Sequence, residues 1–85
     1  MTDIHVNFVM MNGENIEIEV PDQMIVEDAL EQLVQGKFID PLGATEQWEV
    51  SFKETGEMVD IERTMEQNGI KDGTAIRIAQ HGAAG

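Results

Sequence analysis

Apolar and polar residues alternate from the start of the chain. Ile4-His5-Val6-Asn7-Phe8 has the two-residue period of a half-buried strand, and the run continues through Val9-Met10-Met11. After Asn12-Gly13, the stretch Asn15-Ile16-Glu17-Ile18-Glu19-Val20 alternates again. Asn-Gly between two alternating runs signals a hairpin, because both residues tolerate positive φ. The pattern predicts that Ile4, Val6 and Phe8 share a buried face with Ile16, Ile18 and Val20. Met10 and Met11 cannot both face inward on one strand, so one of them is expected at an exposed hairpin tip.

The period changes after Pro21-Asp22. Val26, Ala29, Leu30, Leu33 and Val34 recur at the spacing of one helical stripe, with Glu27, Asp28, Glu31 and Gln32 on the other side. Glu27 and Asp28 fall in the first turn, where the helix dipole favours carboxylates. Ile25 is a poor cap, which leaves Asp22 to cap from further back. Gly36 is expected to stop the helix before Lys37. Pro41 and Gly43 mark 38–46 as a connection. Trp48-Glu49-Val50-Ser51-Phe52 predicts a third strand with its odd-type partners out and Trp48, Val50 and Phe52 inward.

Beyond the Thr55-Gly56 turn, Glu57-Met58-Val59 fits a short edge strand. Thr64-Met65-Glu66-Gln67 has capping-box spacing, and Gly69 limits that helix to one or two turns. Met58 and Met65 are expected as core filler. After Asp72-Gly73, residues 74–79 predict a last strand with Ile76 and Ile78 inward. Residues 81–85 are expected to be a flexible tail on a domain spanning 1–80.

Composition narrows the function classes. The 85 residues carry 17 acidic and 5 basic side chains, a net charge of −12. Such a chain repels phosphate backbones and anionic lipid, which disfavours nucleic-acid and membrane partners and favours basic protein surfaces. The absence of cysteine excludes disulfides and thiolate metal sites. The start, Met1-Thr2-Asp3-Ile4-His5, has no basic, apolar leader pattern, and a cytoplasmic setting is expected. His5 and His81 lie far apart with no spaced partner, so no metal is expected, and no other cofactor is implied. Gly36-Lys37 lacks the upstream glycine of a phosphate loop. No nucleophile–base set is recognisable, so the chain is read as not an enzyme.

The predicted order is strand, strand, long helix, strand, short strand, short helix, strand: an α+β layer with a mixed sheet of four to five strands on one helix. With the Asn12-Gly13 hairpin, the Val20-Pro21-Asp22 entry to the helix, and Arg63-Thr64-Met65-Glu66-Gln67-Asn68-Gly69-Ile70, the chain resembles the ubiquitin-like β-grasp family from Ile4 to Gly85. The resemblance implies a protein modifier, possessing no catalysis of its own. Its C-terminal carboxylate, at Gly85, is activated as an acyl-adenylate, passed on as a thioester and joined to a target amine. Ala84 stands where such modifiers carry a second glycine. A glycine carboxyl can thread a narrow channel, and Ala84 adds a Cβ there. The implied partners are activating and conjugating enzymes and a deconjugating protease, in a bacterial setting.

The resemblance also leaves two other functions open. One is an unconjugated adaptor or assembly subunit, such as a secretion-system accessory. The other is a sulfur carrier, in which the same carboxylate becomes a thiocarboxylate. The candidate interface comprises the hairpin tip (Met10, Met11), the sheet's polar face (His5, Glu17, Glu19, Glu49, Arg77) and His81 in the tail. Val9 and Ala79 are the only apolar candidates on that face, so the exposed apolar sheet patch of ubiquitin is not expected here.

Overall fold

The structure, a computed structural model, describes residues 2–82. Strands β1 (Asp3–Val9) and β2 (Asn15–Pro21) lead into helix α1 (Val26–Gln35), followed by β3 (Glu46–Phe52), a short 3-10 turn (Glu66–Asn68) and β4 (Ala75–Gly82). The sheet has the order β2-β1-β4-β3. β1 and β4 run parallel in the centre, and each is flanked by an antiparallel neighbour.

Register turns the sequence alternation into a core. Ile4 pairs with Val20, Val6 with Ile18 and Phe8 with Ile16. Phe8 also lies opposite Ile76, and Val50 opposite Ile78. These side chains meet Val26, Ala29, Leu30 and Leu33 of α1, together with Val59, Met65 and Ile70. Phe8, Leu30, Leu33 and Met65 are fully buried, and each contributes roughly 1.5–3 kcal/mol of transfer free energy. Ile16, Ile18, Trp48 and Phe52 were expected inside, but they are only partly covered. They lie on the two edge strands, where the helix shields less of the sheet.

Several local expectations change. The hairpin loop has three residues, with Met10 N–H donating to Glu14 C=O at 2.7 Å and Gly13 N–H to Met10 C=O at 3.0 Å. Gly13 has φ 90° whereas Asn12 does not have positive φ, so this is a type I turn closed by a left-handed glycine and not a two-residue turn. Asn12 instead accepts a hydrogen bond from Glu14 N–H at its side-chain oxygen. The stretch 57–59 forms no strand. It makes a single bridge, Ser51 to Met58, and Met58 is 61% exposed, so it does not fill the core. β4 runs on to Gly82 because β3 begins at Glu46 and supplies partners: Gln47 faces His81 and Glu46 faces Gly82. The boundary expected at residue 81 therefore falls inside a strand, and residues 83–85 lie outside the described residues.

Helix α1 starts without a side-chain cap. Val26 N–H donates to Arg63 C=O at 3.0 Å and Glu27 N–H to Ile61 C=O at 2.9 Å. Asp22 caps nothing with its side chain; its carbonyl accepts Glu66 N–H, and Met24 C=O accepts Met65 N–H. The segment 61–66 thus satisfies the helix donors that Ile25 cannot. That segment is held in turn by the expected capping box: Thr64 N–H donates to Gln67 Oε1, and Gln67 N–H to Thr64 Oγ1, both at 3.0 Å.

At the other end, Phe38 N–H donates to Leu33 C=O and Lys37 N–H to Val34 C=O. This is the Schellman arrangement with Lys37, at φ 63°, in the left-handed position usually given to glycine. Gly36 remains right-handed. A Cβ on Gly36 would come within 2.8 Å of the Phe38 ring, so the glycine makes room for Phe38.

Candidate functional site

The register gathers the predicted polar residues on the outer face of the sheet. His5 pairs with Glu19 and Asn7 with Glu17. Arg77 lies between Val9 and Ser51, with Glu49 one pair further along β3. Val9 is buried despite facing outward. Asn7 Oδ1 is covered and has no hydrogen-bond partner, a satisfaction defect in the middle of this face. Among the described residues the four strands of this face carry no exposed large apolar side chain; Met58, bridged to Ser51, stands exposed at its β3 edge.

His5 forms the most structured group on it. Its backbone N–H donates to Asp72 Oδ1 at 2.7 Å, and its Nδ1 lies 2.9 Å from the same oxygen. Nε2 lies 3.2 Å from Glu19 Oε2. Gly73 N–H donates to His5 C=O at 2.7 Å. The hydrogen bond to Asp72 raises the His5 pKa above its usual 6.5, aided by the charges of Asp72, Glu19 and Glu17 and opposed by desolvation. Asp72 is held below 3.8, first by the His5 backbone N–H and then by its ring. In the protonated ring, Nδ1–H serves Asp72 and Nε2–H faces Glu19. Both ring nitrogens already face carboxylates in opposite directions. Among the described residues no group of three His, Asp or Glu side chains is arranged to hold a metal.

Sequence alternation puts His5 and Glu19 on one face of the hairpin, and the three-residue loop sets them opposite each other. Alternation could not find Asp72, 67 residues away, because the parallel β1–β4 pairing brings that turn alongside.

The two hairpin methionines separate as expected. Met10 faces inward, is 8% exposed and belongs to the core, and from there it lines the floor of the groove beside Met11. Met11 is 70% exposed. It lines an open groove of about 260 Å³ with Phe38, Ile39, Asp40, Trp48 and Gln80. Gln80 Nε2 donates to Asp40 C=O at 2.6 Å, which ties the connection after α1 to β4. Phe38 is 56% exposed. The sequence signal for this groove was a lone aromatic residue just past a helix stop, in a stretch read as a simple connection. Of the other predicted residues, His81 is placed by its backbone on β4, opposite Gln47. Ala84 and Gly85 lie outside the described residues.

Among the described residues no helix is long and apolar enough to cross a membrane. No protein-family model matches the chain, and no curated protein does. Solved structures do. The ubiquitin-like domain of Plasmodium falciparum Dsk2 is 16% identical, with 93% of this chain and 99% of that one covered and a TM-score of 0.70. The N-terminal ubiquitin-like domain of the 4931431F19Rik protein is 18% identical, with coverages of 98% and 79% and a TM-score of 0.71. A structure described as molecular mimicry of SUMO that promotes DNA repair is 14% identical, with coverages of 93% and 92% and a TM-score of 0.74. At such identities the likeness is one of fold. The sheet order, the helix across it and these neighbours together establish that the chain has the ubiquitin-like β-grasp fold.

Proposed function

We propose that the chain is a ubiquitin-like protein modifier, joined through the Gly85 carboxylate to amines on target proteins. The observation that carries this reading is the path of β4. The strand is paired with β1 over Ala75–Arg77 and with β3 as far as Gly82, and two small residues, Ala83 and Ala84, separate it from Gly85. A rigid domain followed by a short unbranched segment suits delivery of a carboxylate into an enzyme channel. The protein is then the group transferred and not the catalyst. Its partners are activating, conjugating and deconjugating enzymes with basic contact surfaces, attracted by a net charge of −12. The reading places it in the cytoplasm of a bacterium.

The test is intact-mass analysis of an N-terminally tagged protein recovered from its native cell, beside a chain lacking Gly85. Heavier species that vanish with the deletion are expected. Recovery of the free mass alone from cells in which the protein is active would sink the proposal. Exchange of one oxygen for sulfur at the C-terminal carboxylate of the free chain would turn it into a sulfur carrier. The exposed Met11 and Phe38 favour the adaptor as the second reading, since an unconjugated binder also needs apolar anchors.

A further inference from the structure

Resting on the modifier reading, we infer that the groove lined by Met11, Phe38 and Trp48 is where the enzyme acting on Gly85 docks, through an apolar side chain flanked by basic ones. Reach is the first argument. Gln80 lines the groove, and Gly85 is five residues further on. Five extended residues span at most about 17 Å. An ordinary protein interface covers about 800 Å² per partner, a disc of roughly 16 Å radius. A footprint about 32 Å across that includes the Gly85 carboxylate is therefore wide enough to take in the groove as well.

The second argument is the supply of anchors. Interfaces draw their energy from a few buried apolar or aromatic groups. The exposed large apolar residues among those described are Met11, Ile25, Phe38, Leu42 and Met58. Of these only Met58, bridged to Ser51, stands beside the outer sheet face, and it stands there alone. Met11 and Phe38 share the groove, and Leu42 belongs to the same connection as Phe38. The groove, at about 260 Å³, falls below the usual 300–1,000 Å³ or so of small-molecule pockets. It suits one or two side chains of a partner protein, and Met11 can adjust its shape to them.

Charge gives the partner's sign. Lys37 and Asp40 both line the groove and offset each other locally, so the field there follows the chain's net −12. That field draws basic flanks and opposes a second copy of this chain.

The experiment compares the tagged wild-type chain, the chain lacking Gly85, the double variant Met11→Ser/Phe38→Ser and the control Met58→Ser, all in the native cell. Adducts are quantified by intact mass and thermal melting is measured for each. Wild type and Met58→Ser are expected to give equal adducts and the deletion none. The double variant is expected to melt near wild type and to give about tenfold fewer adducts, the loss of one good anchor. If Phe38→Ser unfolds the chain, Met11→Ser/Asp40→Lys replaces it with the same expectation. Wild-type adduct levels in a folded groove variant would overturn the docking inference while leaving the modifier reading intact. Absence of adducts from wild type would overturn both. A wild-type dimer that dissociates in the double variant, with adducts unchanged, would assign the groove to self-association instead.

Discussion

At the N-terminal end of α1, Val26 and Glu27 donate to carbonyls of the 61–63 stretch, Thr64 and Gln67 cap each other, and Met65 is fully buried beneath them. At the C-terminal end, Lys37 sits in a left-handed conformation, Phe38 lies over Gly36 half in solvent, and Met11 faces an open groove. One end is closed by paired backbone groups. The other is closed by two helix-terminal hydrogen bonds and leaves apolar surface uncovered. The difference separates scaffold from surface: where each polar group already has a partner within the chain, little remains to offer another molecule.

The contrast can be broken by substitution. Met65→Ala removes a fully buried side chain beneath the closed end and is expected to cost about 2–5 kcal/mol in denaturant unfolding. A loss below about 1 kcal/mol would mean that the 61–66 segment opens independently of the core. Thr64→Ala removes the hydroxyl arm of the capping box and leaves the backbone N–H of residue 64 free to donate to Gln67 Oε1; it is expected to cost about 1 kcal/mol. Lys37→Gly should act in the opposite sense. It relieves a left-handed side-chain residue and is expected to add about 0.5–1 kcal/mol. A destabilised Lys37→Gly chain would show that the lysine side chain holds the open end by contacts of its own.

Smaller again is the pH response of the closed end, where His5 ties β1 to the Asp72 turn. Because the folded pKa of His5 is raised, its contribution is complete below its ordinary 6.5 and disappears as pH rises through the folded value. Asp72 is lowered, so its contribution is present above 3.8 and is lost as pH falls through the folded value. The melting-temperature gap between wild type and His5→Gln should therefore be wider at pH 5.5 than at pH 8.5. An equal gap at both would show that the ring pairs are too solvated to matter. The least effect is expected from Met11→Ser, within about 0.5 kcal/mol of wild type, since the side chain is 70% exposed.

Alternation and helical spacing were enough to place the hairpin, α1, the third strand and the last strand, because burial on one face imposes those periods. The fold class, with its mixed sheet and short second helical turn, was legible at that level. Depth of burial was not. Ile18 carries the same pattern as Val6, and only the sheet order puts it on an edge strand; Trp48 and Val50 share edge strand β3 and still differ in depth. The helix cap was illegible for a related reason: carbonyls of residues 61 and 63 supply it, and backbone groups leave no compositional trace. Of the candidate site, His5 and Glu19 were placed on one face by alternation, whereas their pairing depends on the three-residue loop, and Asp72 and the Phe38 side of the groove depend on contacts between distant segments. Met10 was assigned to the interface by position alone; the inward phase of β1 carries it into the core.

The place of β4 has a consequence for synthesis. A ribosome delivers the hairpin, the helix and β3 before the strand that joins them. Until residue 75 has emerged, β1 lacks its parallel neighbour and β3 has no sheet to belong to. Folding of the sheet must therefore wait for nearly the whole chain, and its rate is limited by contacts such as Asn7 with Ala75 that close the longest loops.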